Sequence, residues 1–397
     1  MSFPATRKEA LARLQAFLPR AGRAYAANRN QDEGPPARTH VSGLSPAIRR
    51  RLLSEEEVAR AALAAHGYPA AEKFIQEVCW RSYWRGWLEQ RPSVWRDYLR
   101  EVEAGERALG HEPALAARYA DAVCGRTGID AFDFWAGELV ETGYLHNHAR
   151  MNFASIWIFT LGLPWALGAA HFFRHLLDAC PASNTLSWRW VAGLQTAGKS
   201  YRADPAIIRR TSGGRFLVEA PLATAAPPLP PGPPARLVPM PTLPAPRPDL
   251  ATGLFLHTED LSPETLDLAG CRVQAIAAVD AIGGDPAPLK RAYVNASLQD
   301  GCDRAGAHFG MPLERLPEAE LDEALAAFAA RHGLAQIITP FAPVSPVADR
   351  IARLTQALAA RGVTMVPLMR PWDARAFPHA TRGFFPFREK IPMLLGA

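Results

Sequence analysis

A third of the chain's 36 prolines fall within residues 219–249, a stretch that includes APLATAAPPLPPGPPARLVPMPTLPAPRPD. Proline has no backbone N–H and fixes φ, so neither a helix interior nor a central strand can pass through such a segment. The extended polyproline geometry it favours reads as a semi-rigid linker between domains rather than as a ligand for a proline-recognition module. The chain has 397 residues, 48% of them hydrophobic, which is enough apolar material for a core on each side of the divide. A disordered chain and a disulfide-stapled miniprotein are both excluded.

The two sides have different periodicities. From residue 5 to about 216, apolar residues recur every three or four positions, and Ser54-Glu55-Glu56-Glu57 reads as a capping box that opens a helix. Further helices are predicted at 70–90, 114–123, 130–142, 149–161 and 165–178. The run Phe153 to Ala170 is apolar over about the length of a minimal membrane span. Gly162-Leu163-Pro164 breaks it and His and Arg flank it, so it reads as a buried helix, a turn and a second helix. After the linker, the runs GLFLH (253–257), RVQAIAAV (272–279), AQIIT (335–339) and VTMVPL (363–368) read as buried strands. Helical stretches near 296–309, 319–332 and 346–361 lie among them. Strand–helix alternation implies a parallel sheet, because parallel strands need a crossover that a helix supplies. The expected architecture is therefore multidomain α and α/β. An all-helical domain (1–218), a linker (219–249) and a Rossmann-like parallel α/β domain (250–397) follow one another. No G-x-G-x-x-G or Walker loop follows the first strand, so the fold alone implies no nucleotide site.

The five cysteines are scattered without a C-x-x-C pair, which indicates no disulfide framework, zinc or iron–sulfur site. The amphipathic, charged N-terminus is not a secretory signal, and reduced thiols fit a cytoplasmic protein. Lys and Arg (44) exceed Asp and Glu (39) by a formal +5, compatible with a polyanionic partner but far from a polybasic tail. Within the helical half, four segments carry chemistry. They are Tyr25-Ala26-Ala27-Asn28-Arg29-Asn30 with His40-Val41-Ser42-Gly43-Leu44-Ser45-Pro46; the stretch Phe74 to Trp84 (FIQEVCWRSYW); Thr142 to Met151 (TGYLHNHARM); and Leu177 to Trp190 (LDACPASNTLSWRW). The Ser42–Pro46 loop brings hydroxyls to the start of a helix, a setting suited to phosphate. Phe74, Glu77, Trp80 or Arg81, and Trp84 recur along one helix face. Singly, each segment reads as helix surface, capped turn or aromatic core.

Jointly, and in this order over about residues 10–216, they resemble the flavin-binding helical domain of the photolyase/cryptochrome family. The resemblance implies FAD held among helices at the base of a cavity that accepts a flipped-out DNA lesion. It implies that Tyr25, Ser42, Leu44 and Ser45 hold the FAD phosphates and the entry to the next helix. Phe74 and Arg81 belong to the flavin site, and Asn147 and Arg150 lie beside the flavin. Asp178 pairs with Arg150 near the isoalloxazine ring. Asn184 faces flavin N5, Cys180 takes the place of a second aspartate, Glu77 and Trp80 contact the pyrimidine dimer, and Met151 lines the same cavity. Six-four photolyases carry two histidines where this chain has Asn147 and Met151, so the implied lesion is a cyclobutane dimer. Trp188 and then Trp165 correspond to the family's electron relays. The usual outermost tryptophan has no counterpart near residues 110–122, where Tyr119 or Trp157 is the substitute or the relay is short.

The chain also departs from the family. Gly43 and Ser82 stand where an arginine and a glutamate are common, and His148 replaces a basic residue that orients the lesion. Arg189, Lys199, Arg202, Arg209, Arg210 and Arg215 read either as phosphate contacts at the cavity mouth or as a solvated basic face. The family places its α/β domain first, whereas here the α/β pattern follows the helical motifs and ends in an aromatic, basic tail, residues 370–387. Either the domain order is swapped or the second half is an unrelated module. The resulting expectation is a monomeric, light-driven carbon–carbon lyase that acts on DNA containing pyrimidine dimers, with any antenna chromophore left open. The alternatives are a cryptochrome-like photoreceptor without repair, and a flavin-free DNA-binding relative of the fold.

Overall fold

The computed structural model describes residues 3–35, 37–196, 198–279 and 285–397. Twelve helices build the first half: α1 (Arg7–Phe17), α2 (Arg23–Asn28), α3 (Ser45–Arg49), α4 (Glu55–His66), α5 (Tyr68–Glu89), α6 (Ser93–His111), α7 (Pro113–Val123), α8 (Asp130–Thr142), α9 (Asn147–Ser155), α10 (Trp165–His175), α11 (Pro181–Val191) and α12 (Pro205–Thr211). The predicted capping box forms. Ser54 Oγ accepts from Glu57 N at 3.1 Å, and Glu57 Oε2 accepts from Ser54 N at 3.4 Å. The apolar run 153–170 is broken as expected. It ends α9, passes through a π-helical turn at Ile156–Thr160, and restarts at Trp165 after Pro164. Among the described residues no helix is long and apolar enough to cross a membrane.

The second half is a five-stranded, all-parallel sheet: β1 (Thr252–Leu256), β2 (Val273–Val279), β3 (Leu313–Leu316), β4 (Gln336–Pro340) and β5 (Thr364–Leu368), in the order β3-β2-β1-β4-β5. Crossovers run through α13 (Pro288–Phe309), α14 (Leu321–Arg331) and α15 (Pro346–Ala359). β1 and β4 are buried along their whole length, as a sheet covered on both faces requires. β3 was not foreseen, because it is four residues long and carries Glu314 and Arg315 at its centre. Three short helices close the chain: α16 (Pro371–Ala376), α17 (Phe384–Arg388) and α18 (Ile391–Leu395).

The two halves share one continuous hydrophobic core, in which Leu254, Ile276, Leu298, Trp372 and Phe387 pack with the helical residues. The proline-rich stretch forms no helix or strand and is tied to the helical half. Leu229 N donates to Ala192 O at 3.0 Å, and Val238 N to Gln90 O at 2.9 Å. It therefore runs along the body of the protein instead of holding two bodies apart.

Ion pairs complete the join. Arg49 grips Glu259 with two bonds of 2.6 Å, Arg51 grips Asp373 at 2.6 and 2.8 Å, and Arg370 grips Asp260 at 2.5 and 2.7 Å. Glu259 and Asp260 follow the carboxyl end of β1, beside the point where the strand order reverses between β1 and β4. Open α/β sheets usually bind ligands in that crevice. Here the arginines of the helical half fill it. Arg51 is held at φ +52°, a left-handed conformation that costs a non-glycine residue about 1 kcal/mol, and its buried ion pairs offset the strain. Arg49→Met should destabilise the protein by about 3–5 kcal/mol in denaturant titrations, because Glu259 is left buried without its hydrogen-bonded ion-pair partner. Arg49→Met combined with Glu259→Met should recover most of that loss.

Glu89 spans the same seam and accepts from Val344 N at 2.9 Å. Burial pushes its carboxyl up to about 7, the Val344 N–H opposes the shift and Asp373 adds to it. An acid whose folded pKa lies above its unfolded value binds the extra proton in the folded state, so stability falls as pH rises from about 4.5 to about 7. Glu89→Gln should flatten this slope in thermal melts across that window.

Candidate functional site

Helix α5 presents Phe74, Glu77 and Arg81 along one stripe, each a turn from the next. Tyr25, on α2, packs edge-on against Phe74 with ring centroids 5.1 Å apart. Glu77 pairs with Arg29 at 2.8 Å. Opposite them, Arg150 of α9 forks onto Asp178 at 2.9 and 3.0 Å, and Ser45 Oγ donates to the same carboxylate at 2.6 Å. The guanidinium lies over the Tyr144 ring. His146 caps α9: its Nδ1 accepts from His148 N, and its Nε2 donates to Arg29 O.

The side chains of Glu77 and Arg150 keep 35% and 25% of their surface accessible. Desolvation is the first influence on the ionisation of both groups, and on that of Tyr25 and Arg81. Burial raises the Glu77 carboxyl against the pull of Arg29 and Lys73. Burial also opposes ionisation of Asp178, but Arg150, Arg81 and Ser45 outweigh it and lower its pKa. Cys180 follows the same logic: burial would raise the thiol, but Arg85, Arg49 and Arg81 bring it down to about 7.

Helix α11 sets Cys180, Asn184 and Trp188 one turn apart. Asn184 Nδ2 donates to Ala169 O at 2.8 Å, which fixes the amide and leaves its carbonyl oxygen free to accept. Trp188 is buried against Phe153, Trp157 and Phe172.

The remaining predicted residues are placed as follows. Ser42 Oγ accepts from Leu44 N at 3.3 Å and helps hold the turn into α3, where Leu44 is fully buried. Asn147, exposed in the first turn of α9, contacts Met151 Sδ at 3.8 Å. One face of Trp80 is covered: Phe384 of α17 stacks on it at 3.6 Å and 11°. Trp165 donates to Glu101 at 2.5 Å and packs on Tyr98, and among the described residues it makes no ring contact with Trp188. Of the basic residues, Arg202 pairs with Asp204 and Arg215 with Asp32, while Arg209 and Arg210 line a surface depression with Ala206, Gly213 and Gly214. Arg29, Tyr144 and Arg85 have no role assigned from the sequence. Tyr144 lies inside a quoted motif, and Arg29 falls one turn after Tyr25. Ser82 Oγ accepts from the Trp372 indole N–H at 2.9 Å, from α16.

The family model for the FAD binding domain of DNA photolyase matches residues 74–210, which span α5 to α12 and hold Glu77, Arg81, Arg150, Asp178, Asn184 and Trp188. Over that segment the chain is similar to the FAD-binding domain of the photolyase/cryptochrome family. A deoxyribodipyrimidine photo-lyase of Alkalihalophilus pseudofirmus is 32% identical over 197 residues, 49% of this chain and 39% of that protein. A cryptochrome DASH of Natronomonas pharaonis is 33% identical over 122 residues, 30% of this chain and 24% of that protein. A Synechocystis cryptochrome structure aligns with TM-score 0.42 and 22% identity, over 53% of this chain and 44% of its own. The chain thus spans less than half the length of the relatives it matches.

The site fits the cofactor. Arg81 has no ion-pair partner among the described residues, and its Nη1 is buried without a hydrogen bond. A guanidinium so placed suits an anionic ligand such as FAD, whose pyrophosphate carries negative charge. Arg81→Met should therefore leave the apoprotein as stable as before, or more so, while lowering bound flavin per chain at least about tenfold. Denaturant titration and flavin absorbance check the two halves of this expectation separately.

Proposed function

We propose that this chain uses FAD for light-driven electron transfer that splits cyclobutane pyrimidine dimers in DNA. The observation that supports this reading is that Arg81, one turn after Glu77 on α5, has a buried Nη1 without a hydrogen bond and lies within electrostatic reach of Asp178, the partner of Arg150. Tyr25, Ser42, Ser45, Arg81, Asn147 and Arg150 would hold the cofactor, and when bound and reduced it supplies the photoexcited electron. Asp178 fixes Arg150, and Ser45 in turn fixes Asp178. The free carbonyl of Asn184 can accept from a protonated ring nitrogen. Glu77, whose carboxyl burial biases towards the protonated form, can donate a hydrogen bond to a base carbonyl that gains charge. Met151 supplies polarizable contact at the mouth, and Arg209 and Arg210 offer charge to the DNA backbone.

A second reading, a photoreceptor without repair, is favoured by one feature. One face of Trp80, the residue expected to stack on an extruded base, already carries Phe384. Light-dependent loss of dimers from an irradiated oligonucleotide separates the two readings. The repair reading expects that loss, with Glu77→Ala lowering the yield about tenfold while FAD stays bound. Intact dimers under illumination of the fully reduced protein would leave the photoreceptor.

A further inference from the structure

A continuous aromatic path leaves Trp188 by a route other than Trp165. Trp188 meets Trp157 edge-on at 6.2 Å, and Trp157 meets Tyr119 edge-on at 5.7 Å. Tyr119 lies on α7 and is partly exposed, whereas Trp157 is fully buried. Two local features create the contacts. Trp157 belongs to the π-helical turn Ile156–Thr160, and such turns re-aim side chains and concentrate at functional sites. Gly168 of α10 supplies the space: a Cβ there would lie 2.3 Å from Trp188 Cη2 and 2.9 Å from Trp157 Nε1. Both indoles thus rest on the bare backbone of one glycine.

The polar partners assign direction. Trp157 Nε1 donates to the Pro164 carbonyl at 2.9 Å, and a backbone carbonyl is too weak a base to take the proton of an oxidised indole. The hole would therefore stay mobile on Trp157. Tyr119 reaches the surface, where water can take a phenolic proton.

We propose that Trp157 and Tyr119 carry the electron hole from Trp188 to the surface, making Trp188–Trp157–Tyr119 the photoreduction route of this chain in place of the Trp165 branch. This rests on the reading that FAD is bound beside Trp188. Trp188 gives one electron to the photoexcited oxidised flavin, Trp157 refills Trp188, and Tyr119 refills Trp157. Tyr119 loses its phenolic proton to water and becomes a neutral radical. An external thiol then restores it by giving up one hydrogen atom, and is itself oxidised.

The test uses the full-length chain, with flavin content read first from its dark absorption spectrum. Flash excitation followed by transient absorption and electron paramagnetic resonance should end on a tyrosyl radical, formed in a step slowed by deuterated solvent. In Tyr119→Phe, which removes only the hydroxyl of a partly exposed side chain, the final radical should be tryptophanyl. Steady photoreduction with thiol should fall several-fold. Trp157→Phe should lose photoreduction about tenfold, and Trp165→Phe should keep it. A flavin-loaded protein in which Trp165→Phe abolishes photoreduction, or in which Tyr119→Phe leaves the final radical unchanged, overturns the route and leaves the flavin reading intact. A chain that cannot be loaded with flavin overturns both.

Discussion

Three consecutive arginines, Arg49, Arg50 and Arg51, are buried together, and the rest of the structure follows from how their charge is met. A buried cation is strongly unfavourable unless it is paired and hydrogen-bonded. The partners of Arg49 and Arg51 come largely from the other half of the chain: Glu259 after β1, Asp260 next to it, and Asp373 on α16. The run lies immediately after the Ser42–Ser45 loop, so the same ion pairs that seat the sheet on the helices also anchor α3. Ser45 of α3 in turn holds Asp178, and Asp178 holds Arg150. The α/β half thereby takes a part in building the flavin site, even though none of its strands reaches into it.

Two of the guanidiniums near Cys180 are incompletely bonded. Arg50 donates to the Thr258 carbonyl, with Nε unbonded, and Arg81 has a bare Nη1. Burial draws both pKa values down, and Arg49 does the same to Arg50. The guanidiniums of Arg85, Arg49 and Arg81 explain why the Cys180 thiol is brought down to about 7 and not pushed upward as burial alone would do.

The helical half was legible because its capping box, helix breaks and motifs are local signals. The parallel sheet was legible because buried strands make short, continuous apolar runs. β3 escaped because a short edge strand with polar centre residues has no such run. Three arginines in a row carry the same signature as a solvated basic patch, so their burial could be read only once the acidic segment after β1 was placed against them. Trp157 and Trp165 are equally apolar in the sequence. A π-helical turn and a missing Cβ at Gly168 distinguish them, and neither has a sequence period. Trp80 is the converse case: its spacing fits a platform, but a residue 304 positions later in the chain, Phe384, covers it.

The central claim is that residues of α5, α9 and α11 around Arg81 and the Arg150–Asp178 pair hold a flavin. The visible absorption spectrum of the purified chain, recorded after incubation with FAD and removal of the excess, tests it most directly. The account predicts structured bands of oxidised flavin at about one per chain, consistent with a rigid, desolvated setting, that bleach under blue light with a reductant. A colourless protein that also fails to retain added FAD would contradict it.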